Sequence, residues 1–476
     1  MDEPVASVPD LLRRAAARTP DDTALVDGDA RLTWSELDET VSAAAAALRV
    51  DHPHAGERIA VRLPTGVDFV VAYLAVLRAG LVCVPVNPVY TDAEVLHIVR
   101  DSGAVRVIDM QHPLETSPPV GDPHADRSGE DLALLLYTSG TSGRPKGAML
   151  SVRALLANLD QIADVRPPLL TADDVLFVPL PLSHVFGLNA GLGMALRVGA
   201  TLVLADRFDA AETLEAIGAE RVTAVLGVPG QYAQWLREPG VARAFAGVNF
   251  AMSGSATLTR AVTDGFAALG VVLHDGYGLT EAAPVVTITA MSERDVPHPG
   301  SIGRPLPGVE VQLRDRAGEP IDDDDDGPGR IFVRGANLFS GYWPDGADGP
   351  DADGWFGTGD IAVYDDDREL HIVGHSAELV IVNGFNVYPA EVEAVLAAEP
   401  NVAEVAVTGV PDETTGEAVV AYVVPVPGSR PDVDELLASA ARRLARFKLP
   451  SVVHVVPQLP HTATGKIMKW QLATKG

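Results

Sequence analysis

Apolar residues in the first half of the chain recur in alternating helical and extended spacings. A helix is predicted over residues 11–17 with Ser7 as its cap, and Thr33 with Glu36 forms a capping box before an Ala-rich helix over 37–48. There follow a strand over 59–63, a helix over 70–78 stopped at Gly80, and a strand over 81–86. A second capping box, Thr91 with Glu94, precedes a helix over 95–100 and a strand over 105–109. Strand-length apolar runs return at 174–179, 200–204, 224–228, 250–253 and 271–274. Strands separated by helices predict an α/β fold with parallel-rich sheets covered on both faces. Beyond about residue 296 the texture changes to short strands at 309–313, 330–334, 361–364 and 370–373 between Gly, Pro and Asp turns, as in a small antiparallel, barrel-like unit. From Glu391 the order helix, strand, strand, helix, strand predicts a small α+β domain.

The chain has 476 residues, enough for two to four domains, or one large domain and a satellite. With 47% apolar and 21% charged residues it has a globular composition, which excludes a wholly disordered chain. Lys and Arg number 36 against 65 Asp and Glu, a net charge of −29. So acidic a chain lacks the basic face of a nucleic-acid binder, although a local basic pocket for a phosphorylated small molecule is compatible with it. The one cysteine, Cys83, excludes an internal disulfide and a Cys-cluster metal site; within LVCVPV it reads as a core residue. The N-terminal stretch has no signal-type apolar run, and the longest apolar region, 69–86, is broken by Arg78 and Gly80. A soluble cytoplasmic protein without integral membrane association is expected, and the abundance of Ala, Arg, Asp and Gly suggests a GC-rich bacterial source. The acidic run 322–326 reads as a solvated hairpin tip, since no EF-hand spacing accompanies it.

The most informative stretch is YTSGTSGRPKGAML, 137–150, read as a loop leaving the buried strand 132–136. Glycines let backbone N–H groups converge, hydroxyls add donors and Lys146 adds charge, a combination suited to polyphosphate. It is not a Walker A loop, because Pro145 precedes the lysine and Gly147 follows it. Four other segments end strands or turns with small, polar residues. HDGYGLTE, 274–281, offers Tyr277 for stacking and Glu281 as a candidate Mg²⁺ ligand. SGSA, 253–256, is a small-residue turn; GWFGTGD, 354–360, places Asp360 where a carboxylate could accept ribose hydroxyls; TATGKI sets Lys466 in a C-terminal loop.

In order and spacing these segments, with PLSHVFG, GVPGQY, GRPLPGVEV, VRGANLFSGYW and NGFNVYPAEVE, resemble the AMP-forming adenylating superfamily of acyl- and aryl-CoA synthetases, luciferases and peptide-synthetase adenylation domains. The resemblance covers nearly the whole chain. It implies a large N-terminal domain, 1–375, and a small mobile C-terminal lid, 376–476, carrying Lys466. It further implies adenylation of a carboxylic acid, fatty or small aromatic, by ATP with Mg²⁺, then transfer to CoA. An acyl carrier protein, an amine or another nucleophile is the alternative acceptor. By position, Thr138, Ser139, Gly140, Thr141, Ser142, Gly143 and Lys146 hold the pyrophosphate end; Thr138 and Glu281 take the Mg²⁺ side; Thr280 donates to the α-phosphate. Gly254, Ser255 and Ala256 with Asp275, Gly276, Tyr277 and Gly278 form the adenine slot, and Asp360 receives the ribose. Lys466 bridges acyl and phosphate oxygens, His184 and Phe186 line the acyl pocket, and the pantetheine tunnel lies near Asn383 and Gly384. No Arg or Lys occurs in HVFG, GVPGQY, SGSATL or YGLTEAAPVV, which disfavours dicarboxylates. The domain junction departs from the family pattern: His375 replaces the usual arginine and Ala377 the charged hinge residue, while Arg330 stands where glutamate is common. Basic residues Arg442, Arg443, Arg446, Lys448 and Lys469 cluster in the C-terminal sequence; an ordinary amphipathic helix face accounts for them better than the carrier-protein docking patch that they would also suit.

Overall fold

The computed structural model describes all residues except 1–4, 119–124, 126, 139–144, 257, 292–296, 299, 316, 322–326, 376–379, 383–384, 413–415, 462–466 and 474–476. The acidic run therefore lies outside the described residues. The chain divides into two compact units, Met1–Glu310 with Val333–Phe356, and Val311–Phe332 with Gly357–Gly476.

The first unit is built on two sheets. One has the order Arg106–Asp109, Arg58–Arg62, Val82–Pro85, Leu132–Thr138, Lys146–Ser151, parallel except for its last strand. The other has a parallel core in the order Leu273–Gly278, Phe250–Ser253, Ala224–Gly227, Val175–Val178, Thr201–Leu204, Thr23–Asp27. Strands such as Val82–Pro85 and Ala224–Gly227 are buried at every position, as helices on both faces require. The capping boxes form: the Thr33 hydroxyl accepts from Glu36 N at 3.2 Å while Glu36 Oε2 accepts from Thr33 N at 2.8 Å, and Thr91 with Glu94 repeats the arrangement. Cys83 is buried, and burial pushes its thiol pKa far up, as suits a core residue.

An aromatic cluster packs against the second sheet, with Tyr232 edge-on to Trp235 at 5.2 Å and to Phe266 at 5.3 Å. The Tyr232 hydroxyl donates to Met252 O at 2.9 Å, so this core fixes the end of the strand from which residues 254–256 emerge.

The second unit carries most of the adjacent strands Val309–Arg314, Gly329–Gly335 and Phe356–Tyr364 and all of Leu370–His375, matching the expected short-strand region. Its α+β part contains helix Pro389–Ala397, strands Val402–Asp412 and Gly416–Pro425, helix Val433–Ala440 and strand Val452–Val455 in the expected order. Val392, Leu396, Val407, Val423 and Leu436 form its core. Among the described residues no helix is long and apolar enough to cross a membrane.

Candidate active site

The glycine- and hydroxyl-rich segment is flanked by two paired strands, so its second half is not loop. Strand Leu132–Thr138 runs to Thr138, and Lys146–Ser151 returns antiparallel with Thr138 opposite Lys146. Ala148 and Leu150 bury their side chains as the returning strand pairs, which converts the second half of the expected loop into sheet. Ser139, Gly140, Thr141, Ser142 and Gly143 lie outside the described residues. The strand pair is anchored at Tyr137, whose hydroxyl donates to Asp101 Oδ2 at 2.6 Å.

Lys146 does not stand alone. Its Nζ lies 2.9 Å from Asp348 Oδ2 and 5.0 Å from the centroid of the Tyr342 ring. Residues 340–343 run along the returning strand, with Ser340 N donating to Met149 O at 2.9 Å, Met149 N to Gly341 O at 3.1 Å and Trp343 N to Gly147 O at 2.8 Å. The following turn requires glycine at 341, where φ is +91° and a Cβ would lie 2.1 Å from Gly346 O.

Thr280 and Glu281 sit on the short helical turn Thr280–Ala282. That turn is tied down by Phe339 N donating to Glu281 O at 2.8 Å and Asn337 Nδ2 donating to Ala282 O at 2.8 Å. Glu281 is buried, and its Oε1 accepts from the Tyr342 hydroxyl at 2.5 Å. Burial, and then the Glu281 charge, push the Tyr342 pKa far up, so the phenol stays a donor. Sequence reading assigned roles to Lys146 and Glu281 but none to Tyr342 or Asp348. Asp348 is 202 residues from Lys146, and Tyr342 is 61 from Glu281, so no local pattern links them.

The two expected halves of the adenine slot come together at one end of the second sheet. Strands Phe250–Ser253 and Leu273–Gly278 are parallel, with Ser253 opposite Asp275, so 254–256 and 276–278 leave the pairing side by side. Ser255 adopts a left-handed φ of 71°, and Ser255 and Ala256 are exposed. A Cβ at Gly254 would lie 3.2 Å from the Phe186 ring and 3.6 Å from Gly276 O. The Asp275 carboxylate accepts from Leu258 N at 3.3 Å and Gly276 N at 3.0 Å; burial pushes its pKa up to about 7. It thereby ties Leu258 to the neighbouring strand. Strand pairing reaches Gly278, beyond the expected end at His274, because Val285–Ile288 supplies an antiparallel partner. The Tyr277 side chain is buried.

Beside Met252 lies an apolar cavity of about 30 Å³. Met194, Leu226, Phe250, Met252, Val285 and Leu306 contribute to its lining, and every other lining residue is apolar too. Met252 connects cavity and slot: its Cε lies 2.1 Å from where a Gly276 Cβ would stand. His184 precedes the π-helical segment Phe186–Gly193, which brings Ala190 to the cavity. Its Nε2 is buried without a hydrogen-bond partner among the described residues, and burial lowers its pKa to about 4, leaving the imidazole neutral.

In the second unit, Asp360 and His375 stand opposite each other on antiparallel strands, and Asp360 N donates to Thr358 Oγ1 at 3.1 Å. Arg330 is exposed on strand Gly329–Gly335. Ala377, Asn383, Gly384 and Lys466 lie outside the described residues. The C-terminal basic cluster is partly neutralised: Lys448 Nζ is 2.6 Å from both Glu391 oxygens and Lys469 Nζ is 2.9 Å from Glu393 Oε1.

Residues 12–343 match the family described as AMP-binding enzyme, and residues 391–466 match the AMP-binding enzyme C-terminal domain. The chain is 35% identical to a feruloyl-CoA synthase of an Amycolatopsis species, over 96% of this chain and 97% of that protein. It is 32% identical to a long-chain-fatty-acid–CoA ligase of Yersinia pestis, over 98% of this chain and 94% of the other. Among solved structures it resembles ATP-bound MatB from Rhodopseudomonas palustris, with a TM-score of 0.88 and 31% identity over 98% of both chains.

Proposed function

This chain belongs to the AMP-binding enzyme family, the AMP-forming adenylating superfamily, as an enzyme of the acyl-CoA synthetase type, and from that premise we propose that it joins a monocarboxylic acid with an apolar tail, fatty or small aromatic, to CoA. The observation that carries the substrate class is the wholly apolar lining around Met252, whose side chain abuts Gly276; the cavity of about 30 Å³ has to widen, by movement of side chains such as Met252, to admit a tail. A second carboxylate there would be a buried charge without a cationic partner; the idealised Born cost is ~20 kcal/mol, and after relaxation it still costs several kcal/mol.

In the first half-reaction, a carboxylate oxygen attacks the α-phosphorus of ATP. An acyl–O–P bond forms, the bond to the β-phosphate oxygen breaks, and pyrophosphate leaves. Anion meets anion, so the site needs donors and cations placed in advance. Residues 139–143 with Lys146 receive the β- and γ-phosphates, Thr280 donates to the α-phosphate, and 254–256 with 276–278 flank the adenine. Asp360 and His375, adjacent on their strands, receive the ribose. The buried Glu281 carboxylate and the Thr138 hydroxyl are hard oxygen donors, few in number, and so fit Mg²⁺, which keeps waters and phosphate oxygens for its other positions. When bound, Mg²⁺ offsets phosphate charge. Lys466, on the lid 376–476, completes the charge complement.

In the second half-reaction the CoA thiolate attacks the acyl carbon of the adenylate. A thioester forms, AMP leaves, and the pantetheine reaches the site near Asn383 and Gly384. The internal pairing of Lys448 and Lys469 leaves less free positive charge for docking an acidic carrier protein, which favours CoA as acceptor. The test is pyrophosphate release over a panel of fatty, aromatic and dicarboxylic acids, with and without CoA, and products identified by mass. Turnover of apolar monocarboxylates to CoA thioesters is expected. Preference for a dicarboxylate, or no thioester with any acid, would refute the proposal.

A further inference from the structure

Glu281 presents a problem that the fold solves with one residue. A carboxylate this buried needs donors or a cation to offset its desolvation. Lys146 is near, but its ammonium is paired with Asp348 at 2.9 Å, and Tyr342 lies between the two functions. The Tyr342 ring packs edge-on against Phe339 at 5.0 Å and underlies Lys146, while its hydroxyl reaches Glu281 Oε1 at 2.5 Å. Its backbone is fixed from both sides, Tyr342 N donating to Ala347 O at 2.9 Å and Gly346 N to Tyr342 O at 2.8 Å. The hydroxyl is thus delivered by a rigid turn rather than by a flexible side chain. It engages one oxygen, Oε1, and sets the rotation of the carboxylate about its last bond.

We propose that Tyr342 is the positioning residue for the metal-side carboxylate: its phenol holds Glu281 Oε1 and presents Oε2 to the cation that accompanies ATP. This rests on the reading of Glu281 as a Mg²⁺-side residue. Outer-shell partners of this kind typically contribute about 10–100-fold to metal affinity. Tyr342 does not touch nucleotide or acid in this scheme; it acts through Glu281.

The substitution Tyr342→Phe removes the hydroxyl and keeps the ring. Nucleotide binding is measured by calorimetry as a function of Mg²⁺, and separately in EDTA. The Mg²⁺ concentration for half-maximal binding should rise about 10–100-fold in Tyr342→Phe, with ATP binding in EDTA unchanged. On a Glu281→Gln background, Tyr342→Phe should add nothing further. Phe339→Leu disturbs the ring packing but keeps the hydroxyl and should leave the Mg²⁺ requirement as in the parent. Tyr342→His restores a donor, serves where the Phe variant fails to fold, and should retain Mg²⁺-dependent binding within a few-fold. An unshifted Mg²⁺ requirement in Tyr342→Phe while Glu281→Gln loses it, additive losses in the double variant, or an equal shift in Phe339→Leu would each overturn the proposal. An unshifted requirement in Glu281→Gln itself would instead overturn the assignment of Glu281.

Discussion

Gly276→Ala tests whether the cavity beside Met252 is the acyl subsite. The added Cβ would lie 2.1 Å from Met252 Cε and 3.5 Å from Thr287 O, so the severe clash is with the end of a flexible side chain. Gly276 lies on the strand Leu273–Gly278 and is not among the glycines with positive φ, so alanine incurs no left-handed strain there. Replacing a strand glycine gains about 0.5–1 kcal/mol from reduced unfolded-state freedom, while overpacking costs about 1–3 kcal/mol. The protein should therefore fold, destabilised by about 0–2.5 kcal/mol. Met252 must swing away, and its side chain already lines the cavity, so the space available to a tail shrinks by about one methylene. At ~0.8 kcal/mol per buried CH₂, the variant should lose about 4-fold in kcat/KM for each methylene that no longer fits, with little loss for acids too short to reach Met252. The assay is pyrophosphate release over a homologous series of straight-chain and phenyl-substituted acids, beside a thermal melt. Met252→Ala added to Gly276→Ala should restore the longer acids. In contrast, Gly278→Ala sets a Cβ 2.2 Å from Pro284 O, a backbone atom that cannot swing aside, and should abolish folding or activity for all acids alike. Parallel chain-length profiles for Gly276→Ala and the parent would refute the placement of the acid beside Met252.

Lys466→Ala should slow pyrophosphate release by about 10²–10³ while ATP still binds, as loss of one transition-state contact does; quench kinetics showing the parental adenylation rate would remove the lysine from the mechanism. At the junction, acyl-AMP should accumulate in the parent, because His375 lacks the rigid charged fork of arginine and Ala377 makes no polar hinge contact. Restoring His375→Arg with Ala377→Lys should speed thioester formation more than pyrophosphate release, whereas no adenylate build-up in the parent would sink this expectation. Partly buried His184 and His274, whose Nε2 and Nδ1 atoms are shut from solvent, have native pKa values of about 4 against an ordinary 6.5. Between those values the unfolded chain binds protons that the native chain refuses, so their contribution is full above pH 6.5 and is lost as pH falls toward 4. Asp275, raised from 3.8 to about 7, acts oppositely and adds stability as pH falls through that window. Urea unfolding from pH 7 to 4.5 should therefore show a steeper acid-side loss in Asp275→Asn than in the parent; identical slopes would contradict the burial of its neutral form.

The sequence by itself determined what depends on neighbours three or four residues apart, and what is written as contiguous motifs. Thr33 with Glu36 and Thr91 with Glu94 cap their helices as read, because a capping box is closed by residues within one turn. Alternating strands and helices gave the parallel-rich sheets, and the ordered motifs gave the family. Tertiary structure decided the rest. Strand Lys146–Ser151 exists because Leu132–Thr138 pairs with it, and HDGYG extends into a strand because Val285–Ile288 lies alongside. The cavity draws on residues as distant as Ile162 and Leu306, each of which reads locally as an ordinary core position. Tyr342 reaches Glu281, and Asp348 reaches Lys146, across turns whose closure depends on the whole sheet. A side chain's chemistry is legible in sequence, but the partner that orients it is chosen by packing between segments far apart in the chain.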